Sequence, residues 1–443
     1  MARMFGTDGV RGVANGPVLN VELAYKLGRA AALYFGREVK TPKILIGRDT
    51  RLSGTMLESA LAAGICSAGG NAHLLGVIPT PAVSYLTEKL EANAGVVISA
   101  SHNPFEDNGI KFFARTGYKL PDAVEDEIEA IVNQPVDYAN TVTGSNLGRV
   151  IQEPDMGMVY VKHIVDSADV KLNGLKVVMD CANGANSEIA PAILRTLGAH
   201  VIPIFHEPNG ININNGCGST HLKSLSEGVV AGGYDLGIAF DGDADRCLLV
   251  DETGHTIDGD KVMAVCGADL RRHGKLSGNA IVATVMSNLG LHEYCRKEGI
   301  ELVCTAVGDR HVLEKMLECG YAIGGEQSGH TIFTDYATTG DGQLTALQFL
   351  DVLARSGKKA SELASVCPQY PQVLLNVAVS HERGVKDAIM ASDALSAAIA
   401  EEEGKLSGEG RVLVRPSGTE ALMRVMVEAK TEQIALLAAE NLV

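Results

Sequence analysis

The chain has 443 residues, which at roughly 100–200 residues per domain predicts two to four domains and excludes a small stapled module. Its 38 Lys+Arg against 54 Asp+Glu leave a formal charge of −16, so wrapping nucleic acid or coating an anionic membrane is excluded and an anionic ligand must be held by a few local cations. The 49 Gly, about a tenth of the chain, predict tight turns and ligand loops, and the nine scattered Cys, with no C-x-x-C pair, encode neither a disulfide framework nor a zinc knuckle.

The first eight residues, Met1 to Asp8, lack the apolar core of a signal peptide, and no apolar run approaches the roughly 18 residues that span a bilayer. A cytoplasmic protein is expected. Buried strands are predicted at Lys43–Gly47 and Ala94–Ile98, with Leu57, Leu61 and Ile65 marking one face of a helix between them. The same grammar recurs at Leu175–Asp180, Val201–Phe205 and Leu236–Phe240. It returns at Ala280–Val285, Leu302–Ala306 and Ala322–Gly324, which together predict three α/β units. After Pro368 and Pro371 come strands at Val373–Val379, Arg411–Arg415 and Leu422–Glu428, a long helical stretch near Val385–Glu402 and a terminal helix. That ordering predicts a smaller α+β domain, with boundaries near 150, 250 and 370: 1–150, 151–250, 251–370 and 371–443.

The most informative stretch is Asp241-Gly242-Asp243-Ala244-Asp245-Arg246 at the end of a predicted strand. Carboxylates at i, i+2 and i+4 can turn three hard oxygens onto Mg²⁺ or Ca²⁺. An EF-hand would also explain Asp241, Asp243, Asp245 and Glu252, but Arg246 stands where that loop requires Gly, and both flanks read as strands. Against a plain solvated acidic loop stands the cost of crowding three carboxylates between buried strands without a cation.

Ser99-Ala100-Ser101-His102-Asn103-Pro104 follows the strand Ala94–Ile98, beyond its carboxyl end, where α/β sheets place ligands. Ser99 and Asn103 occupy the glycine positions of a nucleophile elbow, so acyl-enzyme chemistry is not expected. Taken by itself, ordinary turn vocabulary explains the segment slightly better. Lys111, ten residues on in what reads as the same loop, suits proton transfer beside a serine bearing phosphate, the alternative being a solvated lysine.

Gly325-Glu326-Gln327-Ser328-Gly329-His330 clusters orienting polar groups suited to a polyhydroxyl ligand, or forms a plain hairpin turn. Arg415-Pro416-Ser417-Gly418-Thr419-Glu420 with Arg424 is the inventory of a phosphate clamp. Gly254 to Lys261 is no Walker loop, and Gly216 to His221 lacks the third Gly of a dinucleotide fingerprint.

In their order along the chain these motifs resemble the α-D-phosphohexomutase superfamily, and within it the bacterial family acting on glucosamine phosphates. The match includes Phe5-Gly6-Thr7-Asp8-Gly9-Val10-Arg11-Gly12, Gly47-Arg48-Asp49-Thr50-Arg51, the Ser101 loop and Asp180-Cys181-Ala182-Asn183-Gly184-Ala185. It continues through the Asp241 loop, Thr305-Ala306-Val307-Gly308-Asp309-Arg310, the Glu326 loop and the Arg415 loop. The resemblance implies an α/β protein of four domains: three related α/β domains with mixed sheets and a C-terminal α+β domain around a central cleft. It implies reversible interconversion of glucosamine 6-phosphate and glucosamine 1-phosphate, feeding UDP-N-acetylglucosamine and cell-wall synthesis, with a phosphoserine at Ser101 and glucosamine 1,6-bisphosphate as intermediate.

The roles so implied are one Mg²⁺ held by Asp241, Asp243, Asp245 and Ser101; Arg11 and Arg246 facing the transferring phosphoryl group; and Lys111 as general acid or base, with His330 a second candidate. Glu326 and Ser328 would grip the sugar, and Arg415, Ser417, Gly418, Thr419 and Arg424 the non-reacting phosphate. Gln327 favours an amino sugar over the phosphomannomutase/phosphoglucomutase alternative. Ala421 departs from the Pro common in the family, which loosens the clamp without removing a ligand group. The partners expected are a small phosphosugar, no nucleic acid and no membrane, with a homodimer as the assembly state considered. A non-catalytic phosphosugar-binding protein could dispense with Ser101, Lys111 and the Asp triplet, and a Mg²⁺-dependent phosphatase would release phosphate rather than isomerise.

Overall fold

The computed structural model describes residues 3–6, 8–137, 141–380, 382, 384–417 and 421–443. The chain divides into two compact units: Met1–Val285 with Val303–Ser365, and Met286–Leu302 with Val366–Val443. Among the described residues no helix is long and apolar enough to cross a membrane.

The first unit holds three mixed sheets. In the first, β1 (Val10–Val13), β2 (Lys43–Arg48), β3 (Asn71–Val77), β4 (Ala94–Ile98), β5 (Asp107–Ala114) and β6 (Val150–Gln152) lie in the order β1-β5-β4-β2-β3-β6. Pairing is parallel among β2, β3, β4 and β6, whereas β5 runs antiparallel between β4 and β1. Ile44, Ile46, Val96 and Ile98 are fully buried against Leu57, Leu61 and Ile65, as the helix-face pattern predicts. Truncating one such Leu to Ala costs about 2–5 kcal/mol. The helices Val21–Phe35 and Gly54–Ser67 approach so closely that a Cβ at Gly28 would lie 2.1 Å from the Leu61 carbonyl oxygen.

The second sheet contains β7 (Lys176–Asp180), β8 (His200–Ile204), β9 (Leu236–Phe240), β10 (Cys247–Asp251) and β11 (Thr256–Ile257), in the order β11-β10-β9-β7-β8. The third contains β12 (Ala280–Thr284), β13 (Glu301–Thr305), β14 (Ile323–Gly325) and β15 (Thr331–Phe333), in the order β13-β12-β14-β15. β14 and β15 form an antiparallel hairpin whose turn is Glu326 to His330. Asp258 and Asp341 accept the N–H groups of Lys261 and Leu344 at the starts of the helices Gly259–Arg272 and Gly342–Ser356, satisfying donors those helix ends leave open.

The second unit is built on β16 (Gln372–Ala378), β17 (Gly410–Pro416) and β18 (Leu422–Ala429), antiparallel in the order β16-β18-β17. Val414, Val425 and Val427 pack with Ala435 and Ala439 of the terminal helix Glu432–Glu440.

Two expectations change. The helical stretch near Val385–Glu402 is two helices, Val385–Met390 and Asp393–Leu406, because Ser392 turns extended (ψ 127°) before Asp393 opens the second. Lys111 does not sit in the Ser101 loop but on β5, whose start, Asp-Asn-Gly, reads as a turn. Antiparallel neighbours on both sides give that segment the backbone partners of a strand.

Candidate active site

The Ser101 loop leaves the carboxyl end of β4 and is buried rather than solvated: Ser101 is 2% exposed. Its φ of +54° is a left-handed conformation that costs a non-glycine residue roughly 1–2 kcal/mol, so the surroundings must hold it there. Ser99 Oγ accepts the Ser101 N–H at 2.9 Å and donates to Asp49 Oδ2 at 2.6 Å. Asp49 in turn pairs with the buried Arg51 at 2.8 Å. Arg51 donates to the carbonyls of Ser101 and Asn103 at 2.9 Å and of Asp107 at 3.0 Å, and also to that of Pro104. Asn214 Nδ2 donates to the Ser101 and Asn103 carbonyls at 2.9 and 3.0 Å. Arginine and asparagine thus fix the backbone of the loop.

That hydroxyl lies 2.5 Å from Asp241 Oδ2, to which it donates. The loop after β9 can come this near because residue 242 is Gly: a Cβ there would stand 2.7 Å from the Ser101 carbonyl oxygen. Asp241, Asp243 and Asp245 are all buried and each turns one carboxylate oxygen to within 4.8 Å of the others. Asp243 Oδ2 accepts from Thr80 Oγ1 at 2.6 Å and from Lys111 Nζ at 3.1 Å. Among the described residues the second oxygen, Oδ1, of Asp243 and of Asp245 has no hydrogen-bond partner. Burial, and then the charges of Asp245 and Asp243, push Asp241 well above the usual carboxylate range. Hard oxygen donors, mutual repulsion and two orphaned buried oxygens fit a divalent cation.

Lys111 is buried between Asp243 and Asp8, whose Oδ2 lies 3.0 Å away. Burial opposes its charge, but Asp243, Asp8 and Asp245 outweigh burial and hold the ammonium protonated. Asp8 also pairs with Arg11 and with Lys119 at 2.8 Å, and Lys119 reaches Asp309 at 2.6 Å. Among the described residues the buried Nε atoms of Arg11 and Arg246 have no hydrogen-bond partner, although Arg246 Nε lies 4.0 Å from Asp245 Oδ1.

His330 is buried with Nδ1 3.7 Å from Asp245 Oδ2 and Nε2 3.5 Å from Asp309 Oδ2. Against burial, Asp245, Asp309 and Glu326 favour its charged form. Gly340 N–H, however, points at Nε2 from 3.1 Å and needs a lone pair there, which assigns the proton to Nδ1, on the side of Asp245. Glu326 Oε1 accepts the Gly308 N–H at 3.1 Å, Gln327 Nε2 donates to Asp258 Oδ2 at 3.2 Å, and Ser328 is exposed at the hairpin tip.

In the second unit Arg415 and Arg424 face each other across β17 and β18. Burial and the Arg424 charge hold Arg415 below the usual arginine range, the signature of two guanidinium groups sharing one face. Ser417 is buried beside them. Gly418 and Thr419 lie outside the described residues.

Sequence reasoning did not assign Asp49, Arg51, Thr80, Lys119 or Asn214. Asp49 and Arg51 lie inside a motif that the resemblance contains, but their partner is a loop about fifty residues away that spacing alone does not reveal.

Models of the phosphoglucomutase/phosphomannomutase family match the chain as α/β/α domain I at residues 2–139, domain II at 158–254, domain III at 258–370 and the C-terminal domain at 374–442. The phosphoglucosamine mutase of Desulforudis audaxviator is 54% identical over the whole chain and 97% of the relative. The chain belongs to the phosphoglucosamine mutase family. The family's enzyme from Pelotomaculum thermopropionicum is 56% identical, over 97% of this chain and 96% of that one. Among solved structures, a phosphoglucomutase/phosphomannomutase family protein from Burkholderia thailandensis superposes with a TM-score of 0.79 at 25% identity, covering 100% of this chain and 96% of the other. The N-acetylphosphoglucosamine mutase of Aspergillus fumigatus, solved with GlcNAc-6P and magnesium, shares the fold at a TM-score of 0.61 and 21% identity, over 82% and 92%. Phosphoglucosamine mutases are phosphohexomutases, enzymes of four-domain α/β architecture, and the buried Asp triad of this member is able to bind a metal.

Proposed function

We propose that the chain interconverts glucosamine 6-phosphate and glucosamine 1-phosphate, with Ser101 Oγ as the phosphoryl carrier. The observation that carries this reading is a strained, buried serine whose hydroxyl lies 2.5 Å from a carboxylate of the acidic loop. In the first half-reaction the Oγ–P bond of phosphoserine 101 breaks as a sugar hydroxyl oxygen bonds phosphorus, giving glucosamine 1,6-bisphosphate. In the second, the other phosphate returns to Ser101 Oγ after the sugar has turned over.

Asp241, Asp243, Asp245 and a phosphoserine oxygen would hold Mg²⁺, which supplies charge neutralisation for the passing phosphoryl group. The Nε donors of Arg11 and Arg246 would receive the same group's oxygens. Lys111 Nζ holds a proton beside Asp243; it would give that proton to the departing Ser101 Oγ and recover one from the attacking sugar hydroxyl, with His330, 3.7 Å from Asp245, the second candidate for this proton transfer. Glu326 and Ser328 would meet the ring hydroxyls, and Arg415, Ser417, Gly418, Thr419 and Arg424 the non-reacting phosphate. Binding energy from that remote phosphate would then orient the reacting end. The domain boundaries proposed with this assignment stay near 150, 250 and 370.

Turnover of glucosamine, mannose and glucose 1-phosphates, assayed with a bisphosphate activator, tests the reading. A clear preference for glucosamine is expected; a preference for mannose or glucose would move the chain's reaction to the phosphomannomutase/phosphoglucomutase alternative, and free phosphate alone would make it a phosphatase.

A further inference from the structure

A cavity of about 420 Å³ opens in the first unit beside the helix Thr80–Lys89, within the range of about 300–1,000 Å³ that holds small ligands. Its wall carries Tyr85, Tyr118, Tyr336 and His163. Tyr85 and His163 stack with ring centres 4.0 Å apart and planes 12° from parallel. The His163 Nε2–H donates to the Tyr336 carbonyl at 3.0 Å, and burial keeps that ring neutral. The charged side chains of the wall are all acidic: Glu88, Asp335 and Asp341, with no Lys or Arg among the described lining residues. Asp341 is committed to a helix start and to the Tyr160 hydroxyl. The carboxylates of Glu88 and Asp335 are exposed and make no hydrogen bond or ion pair among the described residues. Asp166 and Glu88 add to burial in raising the Tyr85 phenol, with Lys162 opposing them, and Glu88 adds to burial at Tyr118.

Aromatic faces beside unpaired carboxylates attract an organic cation, and an all-acidic wall repels a phosphate. We propose that this cavity binds a small hydroxylated ammonium compound of the chemical class of a free, unphosphorylated amino sugar, with its ammonium group on Glu88 and Asp335 and its ring against tyrosine. Two elements join this wall to the acidic loop. Thr80, at the start of the helix that bears Tyr85 and Glu88, donates its Oγ1–H to Asp243 Oδ2 at 2.6 Å and its N–H to the Asp243 carbonyl at 2.9 Å. The lining segment Thr338 to Asp341 includes the Gly340 N–H that holds His330 Nε2. An occupied cavity therefore shifts the affinity of the acidic loop for a divalent cation, and by reciprocity the cation shifts the affinity of the cavity.

Calorimetric titration of the full chain with glucosamine and with glucose tests the site, in wild type and in the Glu88→Gln/Asp335→Asn double variant. Both substitutions are on the surface and near-isosteric. The expected result is saturable binding of glucosamine, at least tenfold weaker binding of glucose, and at least a tenfold loss of glucosamine affinity in the variant. Absence of saturable binding, equal binding of glucose, or full affinity in the variant would overturn the site. Titrating Mg²⁺ with and without saturating glucosamine tests the coupling: a twofold or larger change in wild type that disappears in the variant supports it, and identical Mg²⁺ affinity in wild type overturns it. Neither failure touches the assignment of Ser101, whose test is the fate of its phosphate.

Discussion

The loop Asp241 to Asp245 and the strand pair Arg415 and Arg424 pose one physical problem with opposite signs. Each gathers like charges that repel one another. The acidic loop is deeply buried and its charges are partly answered from within, by Lys111 and Arg246. Even so, two carboxylate oxygens have no hydrogen-bond partner among the described residues. The arginine pair sits on a three-stranded sheet, with burial and mutual repulsion holding Arg415 below its usual range. Under the proposed function the first would cradle a small cation and take part in the chemistry, and the second would receive an anion and serve recognition.

The largest effect that would break this contrast is on chemistry. Ser101→Ala should lower mutase turnover by several orders of magnitude in steady-state assay, with sugar phosphate still bound. Near-normal turnover would make the acidic loop a structural metal site only.

Next comes the cradle. Asp243→Asn removes one charge and half the pairing of Lys111, so Mg²⁺ affinity by calorimetry should fall by more than about 100-fold, beyond the roughly 10–100-fold typical of groups that merely orient a ligand. In wild type, Mg²⁺ at about 100 times its Kd should stabilise the fold by about 2.7 kcal/mol, visible as a rise in Tm that the variant lacks at the same concentration.

The anion face should respond differently. Arg415→Ala removes a charged hydrogen bond worth about 1.5–3 kcal/mol, which predicts a roughly 10- to 150-fold rise in KM with a smaller change in kcat. Because it also relieves repulsion with Arg424, Tm should not fall. A loss confined to kcat would place Arg415 at the reacting centre instead.

The sequence made the two regions legible to different depths. The strand bounds Ala94–Ile98 and Leu236–Phe240 and the Asp triplet are local patterns, because burial on both faces writes a continuous apolar run and a metal loop writes its ligands at short spacing. Lys111 was readable as a participant but not as a strand residue, since the Asp-Asn-Gly that opens β5 is turn vocabulary until its neighbours are known. Arg51 and Asn214, which hold the Ser101 loop, and Thr80, which holds Asp243, act across sequence separations that no periodicity encodes.

The smallest effect is a control for the cradle. Asp351 is a buried carboxylate on the helix Gly342–Ser356, pushed by burial up to about 6 although it accepts the Asp169 N–H. Ionising it costs more in the folded than in the unfolded chain. Its contribution to stability is therefore fully present below the ordinary carboxylate range near pH 4 and lost as pH rises through about 6, by at most about 3 kcal/mol. Denaturant titrations at pH 4.5 and 7 should show that slope shrinking in Asp351→Asn. Unlike the slope from the Asp triplet, it should not respond to Mg²⁺.

The central claim is that Ser101 Oγ carries the phosphoryl group that the sugar receives. Labelling the enzyme with ³²P from glucosamine 1,6-bisphosphate, mapping the label to its peptide and chasing with unlabelled glucosamine 6-phosphate tests it directly. Label should appear on the Ser101 peptide and pass to sugar phosphate within a turnover; label that never reaches Ser101, or that leaves it only as inorganic phosphate, would contradict that role.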